Sequence, residues 1–262
     1  MFSSLRETMA LSKIDKIEAL LKSIETGDIA SVAVVNEATY VQHNPQTHEG
    51  SEGLATLFKK LSKTEPKVNM VRGFEDGDFV FAHMEYDFSS RKVCFEVFRF
   101  EDNHAVEHWD NLQERQEPNQ SGRSMVDGPT EADDLQLTES NRVLIASFVE
   151  TTLIGTELSR FDDFIDAENY VEHNPQRGDD ISSFKSELQT RTDGGAFIDY
   201  HRLHRVLAQG SFVLSVSEGQ LDGQHAAFYD LFRLANGKIV EHWDTIEKIA
   251  PKSAWKNDNG KF

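Results

Sequence analysis

Two acidic residues stand where acids are costly. In KVCFEVFRF, strand alternation puts Cys94, Glu96, Phe98 and Phe100 on one face. In AAFYDLFRLA the same alternation groups Ala226, Phe228, Asp230, Phe232 and Leu234. Each row is apolar except for one carboxylate. Burying an unpaired carboxylate costs several kcal/mol, so each acid must be neutralised, paired or turned to a cavity. Burial can raise a carboxyl pKa by up to about 3–5 units, and a base working near neutrality suits abstraction of a proton next to a carbonyl. Glu96 and Asp230 are therefore candidate bases. A structural ion pair is the competing reading, although Arg99 and Arg233 fall on the opposite face of their own strands.

Histidines supply the next candidates. His83 follows Phe79 and Phe81 on one strand face, where an imidazole would orient a substrate oxygen or shuttle a proton. A satisfied core or surface histidine is the plainer reading, and the corresponding residue further along the chain is Val216. The two EHWD segments (107–110 and 241–244) place His108 with Asp110 and His242 with Asp244, each beside a tryptophan, Trp109 or Trp243. A His–Asp hydrogen bond would lock the strand end while the indole caps the core; the alternative is a polar pair at a pocket mouth that orients a ligand. The HNP phrases add His43 and Asn44, and His173 and Asn174, which either satisfy a turn or line that mouth. His201 and His204 fall on opposite faces of a strand, and no zinc spacing, HExxH helix or acidic calcium loop is written. Glycine-rich nucleotide loops and a GxSxG elbow are absent too, so neither metal nor cofactor is expected.

The elements that must hold these residues occur twice. YVQHNPQ (40–46) returns as YVEHNPQ (170–176), with six of seven letters shared. FRFEDNHAVEHWD (98–110) returns as FRLANGKIVEHWD (232–244), with seven of thirteen identical. The offset drifts only from 130 to 134, so a whole unit is duplicated. Each unit begins with helical periodicity, over 11–25 and 140–155. A second helical stretch leads into the HNP phrase, where Pro45 and Pro175 end it, and a third helix lies near 51–62 and 179–190. The period then changes to two. Strands are expected near 67–74, 78–88, 92–100 and 104–110, and near 196–207, 211–218, 225–234 and 238–244. Asp76-Gly77, Gln209-Gly210, Asp222-Gly223 and Asn236-Gly237 mark turns between them. Helices followed by a meander specify an α+β domain with helices on one face of a curved sheet. The polar stretch 113–140 links the copies, giving domains 1–126 and 127–262.

A formal net charge of −18 argues against nucleic acid or an anionic membrane as partner. A single cysteine, Cys94, excludes an intrachain disulfide, and no apolar run is long enough to span a bilayer, so a cytoplasmic setting is expected.

Together, YVQHNP, the FVFAH strand, the acid-x-FR strand and VEHWD resemble the SnoaL-like polyketide cyclase group of the nuclear transport factor 2-like superfamily, a fold type shared by ketosteroid isomerase and scytalone dehydratase. The resemblance covers both copies. It implies two cone-shaped α+β barrels, each with three N-terminal helices closing a curved sheet around an apolar pocket. It further implies pairing of the two domains through their sheets, with a homodimer as a further possibility. Catalytic members of the group move protons on cyclic carbonyl compounds with a pocket carboxylate and no cofactor. By this resemblance the pocket acid maps to Glu96 and Asp230, the strand histidine to His83, and HNP to His43–Asn44 and His173–Asn174. Copy one has Glu where the group usually has Asp, and copy two lacks the strand histidine. The expected function is a cofactor-independent isomerase or cyclase acting on a small hydrophobic carbonyl compound; the alternative is a non-catalytic small-molecule binding protein.

Overall fold

A computed structural model describes residues 11–192 and 198–262. Helix α1 (Lys13–Lys22) starts at a reciprocal cap, in which the Asp15 N–H donates to Ser12 Oγ and the Ser12 N–H to Asp15 Oδ2. It buries Ile17, Leu20 and Leu21 along one stripe. A six-residue 3₁₀ segment, Ile29–Val34, follows. The chain then reaches β1 (Val41–Gln42), which pairs in parallel with the later strand His104–Glu114. YVQHNP therefore opens from a short strand rather than from a helix. The preceding IASVAV is too short and too rich in β-branched residues to sustain an α-helix. Helix α2 (Gly50–Leu61) buries Leu54 and Phe58, one turn apart. Strands β2 (Lys67–Asp76), β3 (Phe79–Asp87), β4 (Arg91–Glu101) and β5 (His104–Glu114) form the meander, in the sheet order β1-β5-β4-β3-β2.

The second copy repeats this plan. Helix α3 (Thr138–Phe148) runs into a π turn over Val149–Ile154, then come α4 (Phe161–Phe164), β6 (Val171–Glu172) and α5 (Ile181–Thr192). Strands β7 (Ile198–Gln209), β8 (Phe212–Leu221), β9 (Gln224–Ala235) and β10 (Lys238–Lys248) complete the order β6-β10-β9-β8-β7. Positions 196 and 197 of the expected strand 196–207 lie outside the described residues. The β9–β10 turn uses Asn236 (φ +51°) and Gly237 (φ +73°), the paired left-handed conformation that a two-residue hairpin requires.

Both faces of each sheet are buried. The inner face of β4 sends Cys94, Glu96, Phe98 and Phe100 toward the helices, while Val93, Phe95 and Val97 point away. Those outer residues meet Leu214, Val216, Tyr229 and Leu231 of the second sheet in a shared core that includes Trp109 and Trp243. Each fully buried large apolar side chain there contributes about 1.5–3 kcal/mol. Polar bonds cross the same seam: Asn111 Nδ2 donates to Thr245 O at 2.7 Å, and Arg142 clasps Asp76 at 2.6 and 3.0 Å. Among the described residues, no helix is long and apolar enough to cross a membrane.

Candidate active site

Between the helices and the inner face of the first sheet lies a cavity of about 310 Å³. Its greasy walls include Leu20, Ile24, Leu54 and Phe58; Gln42, Asn44, Glu96, His108 and Asp110 gather at one end. Such a volume is at the lower end of small-molecule pockets.

Glu96 is 5% exposed and is paired, not stranded. Tyr86 Oη donates to its Oε1 at 2.7 Å, and His108 Nε2 lies 2.6 Å from its Oε2. The thiol of Cys94 donates weakly to Oε1 at 3.4 Å. Burial first, and the Glu96 charge second, push both the Tyr86 phenol and the Cys94 thiol well above their ordinary pKa, so both stay protonated donors.

One neighbour fixes the histidine's tautomer. The backbone N–H of Asn44 donates to Gln42 Oε1 at 2.8 Å, which identifies that atom as the amide oxygen. His108 Nδ1 lies 3.0 Å from the same oxygen and must carry a hydrogen. A single proton is then left between His108 Nε2 and Glu96 Oε2. Beside this pair, Asn44 Nδ2 donates to Asp110 Oδ2 at 2.5 Å.

In the second copy the same positions form a closed salt network. Glu172 replaces Gln42, so His242 sits between Glu172 (Nδ1, 2.9 Å) and Asp230 (Nε2, 3.1 Å). Burial pulls the His242 pKa down, but the two carboxylates overcome it and raise it to about 10, making an imidazolium. Burial pushes Glu172 up, yet His242 and Arg177 hold it at about 2. Asp244 moves up to about 6 because burial outweighs the pull of Arg177 and His242. Arg177, 1% exposed, places Nη1 3.6 Å from Glu172 and 3.5 Å from Asp244, with its guanidinium 4.2 Å above the Phe184 ring. The first copy has Thr47 and Leu54 where these two stand, at the offset of 130, and Cys94 where the second has Phe228. Larger side chains occupy the second chamber at all three positions.

The anticipated residues thus separate. Glu96, His108, Asn44 and Asp110 converge on the cavity, and Asp230, His242, Asn174 and Asp244 converge on the matching point of the second copy. His83 does not reach either: it pairs with Phe95 in register, lies on the sheet–sheet side, and its Nδ1 meets Arg72 at 2.8 Å. Burial and the Arg72 charge push its pKa well below the ordinary value, keeping it neutral. Trp109 and Trp243 also face the seam, where His43 and His173 stack on them at 4.7 Å and bond Glu107 and Glu241. The His–Asp bond within EHWD does not form. Glu96 stands opposite Asp110 in the ladder, His108 reaches Glu96 on the diagonal, and Asp110 bonds Asn44 just beyond β1.

Sequence reasoning passed over Gln42, Tyr86, Glu172, Arg177 and Tyr200. Position 42/172 carried a signal: it is the one letter that differs between YVQHNPQ and YVEHNPQ. The tyrosines were harder to see because they swap strands. Tyr86 on β3 pairs with Val68, while its equivalent Gly219 pairs with Tyr200, whose hydroxyl donates to Asp230 at 3.1 Å. A Cβ at Gly219 would sit 1.9 Å from Asp199 O.

Among the described residues, two groups offer three ligand atoms within 4.8 Å of each other, Cys94–Glu96–Asp110 and Asp230–His242–Asp244. Burial raises the Cys94 thiol pKa and the neighbouring carboxylates raise that of His242, so a metal would have to displace a proton at either group.

Each copy is an α+β unit in which helical segments pack on a four-strand antiparallel meander with a short parallel strand at its edge. Similar solved structures include TsrD from Streptomyces laurentii (19% identity, TM-score 0.35), which covers 40% of this chain and 92% of its own. An NTF2-like protein of unknown function from Cytophaga hutchinsonii matches at 15% identity and TM-score 0.36, over 40% of this chain and 94% of its own. IdmH from Streptomyces antibioticus, described as a candidate polyketide cyclase, matches at 16% identity and TM-score 0.35, over 39% of this chain and 93% of its own. No protein-family model matches the sequence, and no curated protein does.

Proposed function

We propose that the first copy binds a small, largely apolar carbonyl compound and catalyses isomerase- or cyclase-type proton transfer on it. The observation that carries this reading is the Glu96–His108 pair, hydrogen-bonded at 2.6 Å at the polar end of a largely apolar cavity. The apolar end takes the hydrocarbon body. Glu96 accepts the proton from the carbon next to the carbonyl, while His108 holds the carboxylate in place from Oε2. The developing enolate oxygen is received by the Asn44 amide, only one of whose Nδ2 hydrogens is used by Asp110. This step uses protein groups alone. The second copy, with Arg177 in place of free space, serves as structural support. A binding-only reading draws on a separate observation: both Glu96 oxygens already accept bonds, from Tyr86 and His108.

Hydrogen–deuterium exchange at the α-carbon of 1-tetralone, a bicyclic ketone, separates the two readings. Catalysis requires saturable exchange that falls about 100-fold or more in Glu96→Gln, with the variant still folded. Saturable binding with no exchange above the buffer rate, unchanged in Glu96→Gln, would leave a binding protein.

A further inference from the structure

Each copy ends in a segment that embraces the other. After the first sheet, Asn119 Nδ2 donates to Glu172 O, and Ser124 O meets His173 Nδ1 at 2.7 Å. After the second sheet, Asn259 Nδ2 donates to Gln42 O, and Gly260 O meets His43 Nδ1 at 3.0 Å. Ser124 and Gly260 are therefore equivalent points, and the residues that follow them are Met125 and Lys261.

Lys261 is 2% exposed. Its Nζ lies 2.8 Å from Glu247 Oε2 and 3.6 Å from Asp110 Oδ1. Glu247 in turn corresponds to Gln113. The two side chains play the same backbone role across the seam, Gln113 accepting from the Ile246 N–H at 2.8 Å and Glu247 from the Leu112 N–H at 2.9 Å. One arm thus carries a neutral Gln–Met set and the other a charged Glu–Lys set. Only the charged set abuts the chamber that holds a cavity.

This arrangement solves a conflict. A buried carboxylate such as Asp110 or Asp244 needs a cation nearby. The second copy supplies one from its own HNPQR turn, and Arg177 then occupies the chamber. The first copy has Thr47 there and takes its cation from the segment after the second sheet, as Lys261, which does not line the cavity. Asp110 Oδ1 lies 3.6 Å from Lys261 Nζ, an ion pair without a hydrogen bond, while Oδ2 accepts from the Asn44 amide.

We propose that Lys261, delivered by the segment following the second sheet, is a positioning residue of the first chamber, setting the Asn44 amide through Asp110. The second copy thereby completes a site it does not itself contain. The role of Asn44 as oxygen donor rests on the function proposed above; its placement by Lys261 does not.

The test uses the full chain with Lys261→Met combined with Glu247→Gln, which reproduces the neutral set of the other arm and leaves Asp110 as the one carboxylate deprived of its cation. Lys261→Arg is the conservative partner. Two readouts are taken: solvent exchange of the Asn44 side-chain amide protons by NMR, and kcat and KM for 1-tetralone exchange. The double variant is expected to exchange the Asn44 amide about 10-fold faster and to lose about 10-fold in kcat with KM changed far less, with Lys261→Arg restoring both. Unchanged Asn44 protection in the folded double variant overturns the proposal, even where Glu96→Gln abolishes exchange. Lost Asn44 protection in a protein that never exchanges tetralone would retain Lys261 as the positioning residue and defeat the functional reading instead.

Discussion

At the polar end of each chamber one histidine bridges a strand acid and the residue at position 42 or 172, and the letter that differs there changes what the histidine can do. Opposite the Gln42 oxygen, His108 has one settled proton and shares a second with Glu96. Between Glu172 and Asp230, His242 is locked as a cation. A shared proton is chemically useful, whereas a trapped one is a salt bridge. The chambers diverge in space along with charge: Thr47, Leu54 and Cys94 become Arg177, Phe184 and Phe228. Duplication has left one copy with a cavity and the other, among the described residues, with a buried ionic network at the matching point.

The comparison breaks most severely at Arg177. Replacing it with Met takes the nearest cation from Asp244 and leaves Glu172 with His242 alone, and should cost about 3–5 kcal/mol in denaturant unfolding. Thr47→Met in the first copy should cost far less, because that position faces a cavity. Equal losses at the two sites would contradict the assignment of open and closed chambers.

Alkaline pH gives the next largest effect. His242 has its folded pKa raised from 6.5 to about 10, so its stabilising contribution is fully present below pH 6.5 and is lost as pH rises through about 10. Urea titrations between pH 7 and 10 should show a stability decline of a few kcal/mol. Glu172→Gln should flatten that decline, and a profile as steep as the wild type's would show that Glu172 does not hold the imidazolium.

Smaller still is the tyrosine exchange between strands. Tyr86→Phe and Tyr200→Phe each remove one hydrogen bond to the chamber acid and should each cost about 1 kcal/mol. Only Tyr86→Phe should alter tetralone exchange; a matching change from Tyr200→Phe would place chemistry in the second chamber.

Much of this was legible in the sequence. The repeat, the lone acid on each apolar strand face and the hairpin turns follow from identities, alternation and left-handed turn residues. What alternation could not give was which face of a doubly buried sheet meets the cavity. His83 shows the difficulty. Its side depends on the β3–β4 register, in which Ala82, not His83, pairs with Glu96. A turn around Ser89 and Ser90 one residue longer or shorter would have exchanged the faces. Trp109 and Trp243 were similarly ambiguous, since an indole suits a pocket rim and a sheet–sheet seam equally. The cation at Lys261 was beyond reach for a different reason: it comes from the far end of the chain, 151 positions from Asp110, by an arm whose path only the assembled fold reveals.

The central claim, that one chamber admits a ligand and its twin does not, is tested most directly by where a ligand binds. Intermolecular nuclear Overhauser contacts from 1-tetralone to assigned methyl groups report this at once. Contacts to Leu54 and Leu57 of the first chamber, with none to Leu188 or Val149 of the second, are the predicted result. Contacts to Leu188 and Val149 would contradict it.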